Sequence, residues 1–195
     1  MNPLTQNTKL EKASSKTFGF GIFPAVTCPQ AGECKAYCYA CKGLYRTHWG
    51  AMVKAWEWRT ELTTDSDAFI DAMQTAITTK VAYGAKAIRI HPEGDFYSPR
   101  YLMAWLKIMA MFPSVRFYAY TKSVGLVKGV VHPKNFTAIY SFGGKQDAMI
   151  NARRDRHARI FPSYHAMRKA GYQSAMGDDS RAWKLGTRRL GLLAH

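Results

Sequence analysis

Apolar and polar positions along this chain fall into two periods, and the periods predict alternating strands and helices. A polar stretch over 1–16 precedes TFGFGIFPAVT, which starts at Thr17; its aromatic and aliphatic density predicts a first strand running straight into Cys28-Pro29. HWGAMVKAWEWRTEL then gathers Trp49, Met52, Val53 and Trp56 on one helical face. Asp65-Ser66-Asp67 supplies N-cap chemistry for a second helix, in which Ile70, Met73, Ile77 and Val81 recur at helical spacing before Gly84 stops it. AKAIRIHP predicts a short strand closed by Glu93-Gly94-Asp95-Phe96. Ser98-Pro99 is a cap followed by a first-turn proline, opening a third helix with Leu102, Trp105, Leu106 and Met109 as its buried stripe and Pro113 as its end. VRFYAYTKS and FTAIYSFGG read as further strands, RHARIFPS as a weaker one, and SYHAMRKAG as a short helix after it.

Strands alternating with helices in this way predict a parallel α/β sheet, with the chemistry on polar residues just past the strand ends. Five or six strands are too few for a large eight-fold barrel, so the expected fold is a small or partial β/α (TIM-like) barrel. A length of 195 residues suits one domain. The expected organisation is a flexible tail over 1–16 and a single α/β domain over 17–195. There is no internal repeat, no low-complexity tract and no unbroken apolar run of membrane-spanning length. The start has no basic segment followed by an apolar one, so a cytosolic protein is expected.

Charge changes the picture. The chain carries 28 Lys and Arg against 13 Asp and Glu, a net charge of +15 that favours a polyanionic partner. The C-terminal stretch is the most basic, with Arg153, Arg154, Arg156 and Arg159 in one short segment and Arg181, Lys184, Arg188 and Arg189 in another. These are the candidate nucleic-acid contacts, with DNA favoured over RNA; the competing reading is a solvated face that keeps the protein soluble.

The strongest chemical signal is the cysteines. The chain's only four, Cys28, Cys34, Cys38 and Cys41, fall within fourteen residues. Disulfides inside so short a segment would close small loops and tie no distant elements together. The spacing C-x5-C-x3-C-x2-C also lacks the two separated knuckles of a structural zinc site. A compact run of soft anionic donors from one loop suits an iron–sulfur cluster, 4Fe-4S first and 3Fe-4S as the alternative.

Within this run, Cys34-x3-Cys38-x2-Cys41 resembles the cluster motif of the radical S-adenosylmethionine enzymes, which also lies on a loop after the first strand of a partial β/α barrel. That resemblance implies three thiolates and one open iron that binds the cofactor. Cys28, six residues upstream, and Ala40, where an aromatic residue is usual, depart from it. With Cys28 as a fourth ligand every iron is capped and the cluster is structural, redox-active or a sensor.

A wider resemblance joins Cys28-Pro29, Cys34-x3-Cys38-Tyr39-Ala40, Lys42-Gly43, Gly94-Asp95-Phe96, Tyr101-Leu102 and Tyr120-Thr121-Lys122. Together these blocks resemble the bacteriophage gene 88 protein family. The resemblance implies a viral origin, hence the cytoplasm of an infected bacterial host, and implies no particular activity.

Glu93 and Asp95 follow a strand on the same mouth as the cysteine loop, and the resemblance to the radical enzymes, whose acidic glycine-containing turn meets the cofactor's amino group, implies that they are candidate cofactor contacts; Lys122, after another strand, is a candidate contact to a phosphate or sulfide, or simply exposed. Against that, Asp95 could simply accept hydrogen bonds from the turn's backbone and Glu93 be solvated. A lone His91 before Pro92 reads as structural, and Gly143-Gly144 as a plain turn, since no phosphate-binding glycine pattern accompanies it.

Overall fold

The computed structural model describes residues 2–6, 10–11, 16–36, 38, 40, 49–177, 179–183 and 186–194, Trp49 in its backbone only. The strands are β1 (Thr17–Phe20), β2 (Ala87–Ile90), β3 (Arg116–Thr121), β4 (Phe136–Ser141), β5 (His157–Phe161), β6 (Gln173–Ser174) and β7 (Arg189–Leu193). They form one seven-stranded sheet in the order β1-β2-β3-β4-β5-β7-β6, parallel at every pairing, and the sheet curls into a half-barrel. The helices are α1 (Trp49–Leu62), α2 (Ser66–Ala82), α3 (Pro99–Met111), α4 (Val124–Lys128) and α5 (Tyr164–Lys169).

The caps form as their sequences dictate. Asp65 accepts from the amides of Asp67 and Ala68 at the head of α2, and Ser98 accepts from that of Tyr101 at the head of α3. Both helices pack on one face of the sheet. Phe69, Met73 and Ile77 from α2 and Leu102, Trp105 and Met109 from α3 bury against Ile88, Ile90, Phe117 and Ala119. Edge-on aromatic contacts knit this layer, Phe69–Trp105 at 5.4 Å and Phe20–Trp105 at 5.5 Å between ring centroids. The pleat sends Ala87, Tyr118, Ile139, Ala158 and Leu190 to the other, concave face, which Ala175 and Ala182 close. There a buried Asp179 accepts from Arg89 Nη1 at 3.0 Å and from the Tyr118 hydroxyl at 2.6 Å.

Three features differ from the sequence reading. The first strand ends at Phe20, because the next residues pair with the turn after β2: the His91 amide donates to Phe20 O and the Ile22 amide to Glu93 O. The sheet has seven strands where five or six are expected, because β6 and β7 are short and lie in the basic C-terminal stretch, where charge hides the alternation in the sequence. Near the start, Thr5 bridges Gly19, and Leu4 and Leu10 are buried, so these residues pack on the fold and are not a loose tail.

Candidate metal centre

The cysteine loop leaves the C-terminal end of β1 and docks on the turn after β4. Ala31 bridges Gly144, the Lys145 amide donates to Gln30 O at 2.9 Å, and Lys145 Nζ donates to Pro29 O at 3.1 Å. The two backbones lie so close that a Cβ on Gly144 would stand 2.9 Å from Gln30 O, and one on Gly32 would stand 2.9 Å from Gly143 O. Gly143-Gly144 is therefore a seat for the cysteine loop as well as a turn, a role its sequence did not signal. Asp147 holds the seat by accepting from both glycine amides at 2.9 Å.

Cys28, Cys34, in a short 3-10 turn over Glu33–Lys35, and Cys38 all line one cavity of about 180 Å³. None of the three is in a disulfide. Cys41 lies outside the described residues. Burial, and next the nearby Asp95 charge, push the Cys28 thiol up to about 12, so the site holds it protonated unless a cation is present. Among the described residues no three His, Cys, Asp or Glu side chains stand close enough together to grip one metal ion.

The strand ends supply the rest of the lining, including Glu93, Asp95 and Lys122. Asp95 is fully engaged with protein: it accepts from the Phe96 amide, the Thr121 hydroxyl and the Lys122 amide at 2.6–2.8 Å. Burial raises its pKa while these donors oppose the rise. It thereby fastens the turn after β2 to the turn after β3. Glu93 is partly buried; a Cβ on Gly21 would collide with its carboxylate, and its charge supports the buried Arg59 guanidinium, which donates to Gly21 O at 2.6 Å. Lys122 Nζ donates to Ser141 Oγ at 3.0 Å on the rim.

His91 Nδ1 and the Tyr120 hydroxyl, both from residues of the lining, have no hydrogen-bond partner among the described residues. His91 is 2% exposed, adopts φ +59°, a region that non-glycine residues occupy at a cost, and pairs its Nε2 with the Tyr101 hydroxyl at 2.9 Å. Burial, and then the Arg89 charge, pull it down to about 3, so its ring is neutral.

Among the candidate nucleic-acid cations, Arg156 lies beside Arg181 and Arg188, with its guanidinium reaching the Arg181 carbonyl at 3.5 Å. Arg153 and Arg154 are exposed in the turn that Asn151 caps, and Arg188 and Arg189 are exposed at the start of β7. Arg156 and Arg181 spend donors on the fold, Arg156 Nη1 to Ala182 O at 2.9 Å and Arg181 Nη1 to Ser174 O at 2.8 Å. Arg159 lies over the Phe142 ring at 3.9 Å and lines a second cavity with Glu33, Cys34 and Asp147. Lys184 lies outside the described residues.

Comparison with known proteins agrees with the phage resemblance. The chain is 49% identical over 37 residues to the gene 88 proteins of Mycobacterium phage D29 and Mycobacterium phage L5; this is 19% of the chain and 15% and 16% of those proteins, so it aligns with about a sixth of their length. No solved structure matches. The model of the family described as Gene product 88 matches residues 2–194, from before β1 to the end of β7, and the chain belongs to that family.

Proposed function

We propose that the protein binds an iron–sulfur cluster at the mouth of its half-barrel, through Cys28, Cys34, Cys38 and Cys41, and that its basic surface binds nucleic acid. The observation that carries the first part is the convergence of three thiols, separated by five and three residues, on one cavity. The unpartnered His91 Nδ1 and Tyr120 hydroxyl give the cluster, or a molecule beside it, polar contacts to satisfy. When bound, such a cluster supplies one-electron chemistry and a crosslink among the loop's thiolates. The chain's own contribution is to seat the loop on Gly143-Gly144 and to lock the two adjoining turns through Asp95. The host cytoplasm, where thiols stay reduced, is the compartment this chemistry needs.

Anaerobically purified protein should be brown and carry about four iron and four sulfide per chain. Stoichiometric zinc without sulfide would end this reading.

The polar lining beyond the thiols, Arg89 and Lys122 among it, favours a second reading: a radical S-adenosylmethionine-type enzyme with an open cluster on Cys34, Cys38 and Cys41. Glu93, Asp95 and Lys122 are then the candidate cofactor contacts. Cleavage of S-adenosylmethionine to 5′-deoxyadenosine by the reduced protein, above a cluster-free control, would establish it.

A further inference from the structure

In a parallel sheet all strands begin at one end, and here the first three begin beside cations. Lys16 precedes Thr17, Lys86 precedes Ala87, and Arg116 opens β3; Thr17 is in register with Ala87, and Ala87 with Arg116. This end lies opposite the cysteine cavity, which sits past the strand C-termini. Lys86 and Arg116 are exposed and line an open groove of about 560 Å³ with Val81, Ser114 and Trp183. Lys16 extends the rim, its Nζ donating to Tyr83 O at 3.2 Å beside Gly84. The next residue outward, Tyr83, is 75% exposed.

Acidic residues are scarce in the surrounding sequence. The sequence has no Asp or Glu between Asp71 and Glu93, nor between Asp95 and Asp147. Asp179, the acid closest in sequence to Trp183, is buried and accepts from Arg89 and Tyr118. Lys86 and Arg116 have no ion-pair partner among the described residues. The Trp183 indole Nε1 is buried with no hydrogen-bond partner among them. Arg156 reaches the carbonyl of Ala182, the residue before Trp183. A groove with a cationic rim and an aromatic wall matches the chemistry of a phosphate chain with unpaired bases.

We propose that this groove docks single-stranded nucleic acid, with phosphates on Lys86 and Arg116 and a base against Trp183. The inference rests on the nucleic-acid part of the proposed function, and it moves the main contacts from the C-terminal arginines to the starts of β2 and β3. Paired bases of a duplex could not reach Trp183, so single strands should bind more tightly than duplex.

The test is fluorescence anisotropy of the full chain with labelled single-stranded and duplex DNA of the same sequence, at about 50 mM salt. Lys86→Glu with Arg116→Glu should weaken single-strand binding about tenfold or more and reduce its salt dependence, because phosphate contacts release counterions. Arg153→Glu with Arg154→Glu, an equal change in net charge, should weaken it several-fold less. The neutral pair Lys86→Ala with Arg116→Ala should fall between wild type and the Glu pair. Equal losses from the two Glu pairs, or tighter binding of duplex than of single strands, would overturn the groove assignment. Absence of binding by wild type would overturn the nucleic-acid reading itself.

Discussion

At the scale of single residues the cysteines divide the two readings of the cavity. If Cys28 caps the cluster, Cys28→Ser should cost most of the bound iron; if the cluster is open, Cys28→Ser should retain it while Cys41→Ser loses it. Iron and sulfide per chain, measured on both variants, separate the cases. Cys34→Ser or Cys38→Ser should abolish the cluster under either reading and lower stability, since thiolate–metal bonds made only in the folded state contribute to folding. His91 carries a separate prediction. Its folded pKa, about 3, lies below its ordinary value of 6.5, so the unfolded chain binds the extra proton first as pH falls. The stabilising contribution is complete above 6.5 and is lost progressively toward 3, with a slope of at most about 1.4 kcal/mol per pH unit. Thermal midpoints of the metal-free protein should drop across that window, and His91→Asn should flatten the part of the drop that His91 causes. An unchanged slope in the variant would show that His91 titrates as it does in the unfolded chain.

At the scale of elements the account depends on how the cysteine loop is seated. Gly144→Ala places a methyl group 2.9 Å from a backbone oxygen of that loop, an overpacking worth about 1–3 kcal/mol. The variant should stay folded, because the contact lies outside the sheet's two cores, yet retain less iron than wild type. Full iron loading with an unchanged melting temperature would mean that the loop does not need this seat. The elements themselves were largely legible: Asp65 and Ser98 cap the helices their sequences point to, and the stripe of Leu102, Trp105 and Met109 is buried. The cysteine loop's position after the first strand was legible too. Its docking was not, because Gly32 and Gly144 are distant in sequence and a glycine pair alone reads as a turn. β7 escaped for another reason: RLGLL is five residues long and sits behind a run of arginines, so it has too few positions to show a period. Asp95 was ambiguous in sequence, and its three donors, two of them from the β3 side, come from tertiary structure.

At the scale of the whole molecule, the half-barrel separates two kinds of chemistry. Thiols gather past the strand C-termini, and cations of the first three strands gather at the opposite end. Composition revealed the charge of +15 but not its distribution, since Lys16, Lys86 and Arg116 become neighbours only when the sheet forms. Removing the cluster should therefore leave nucleic-acid affinity unchanged within about twofold, with anisotropy of loaded and metal-free protein at about 50 mM salt as the check. The central claim is the cluster itself. Electron paramagnetic resonance of anaerobically purified, dithionite-reduced protein, with iron and sulfide quantified on the same sample, tests it most directly. A fast-relaxing, low-temperature signal of a reduced 4Fe-4S cluster is expected, at about four iron and four sulfide per chain. A colourless protein with no such signal after anaerobic reconstitution with iron and sulfide would contradict it.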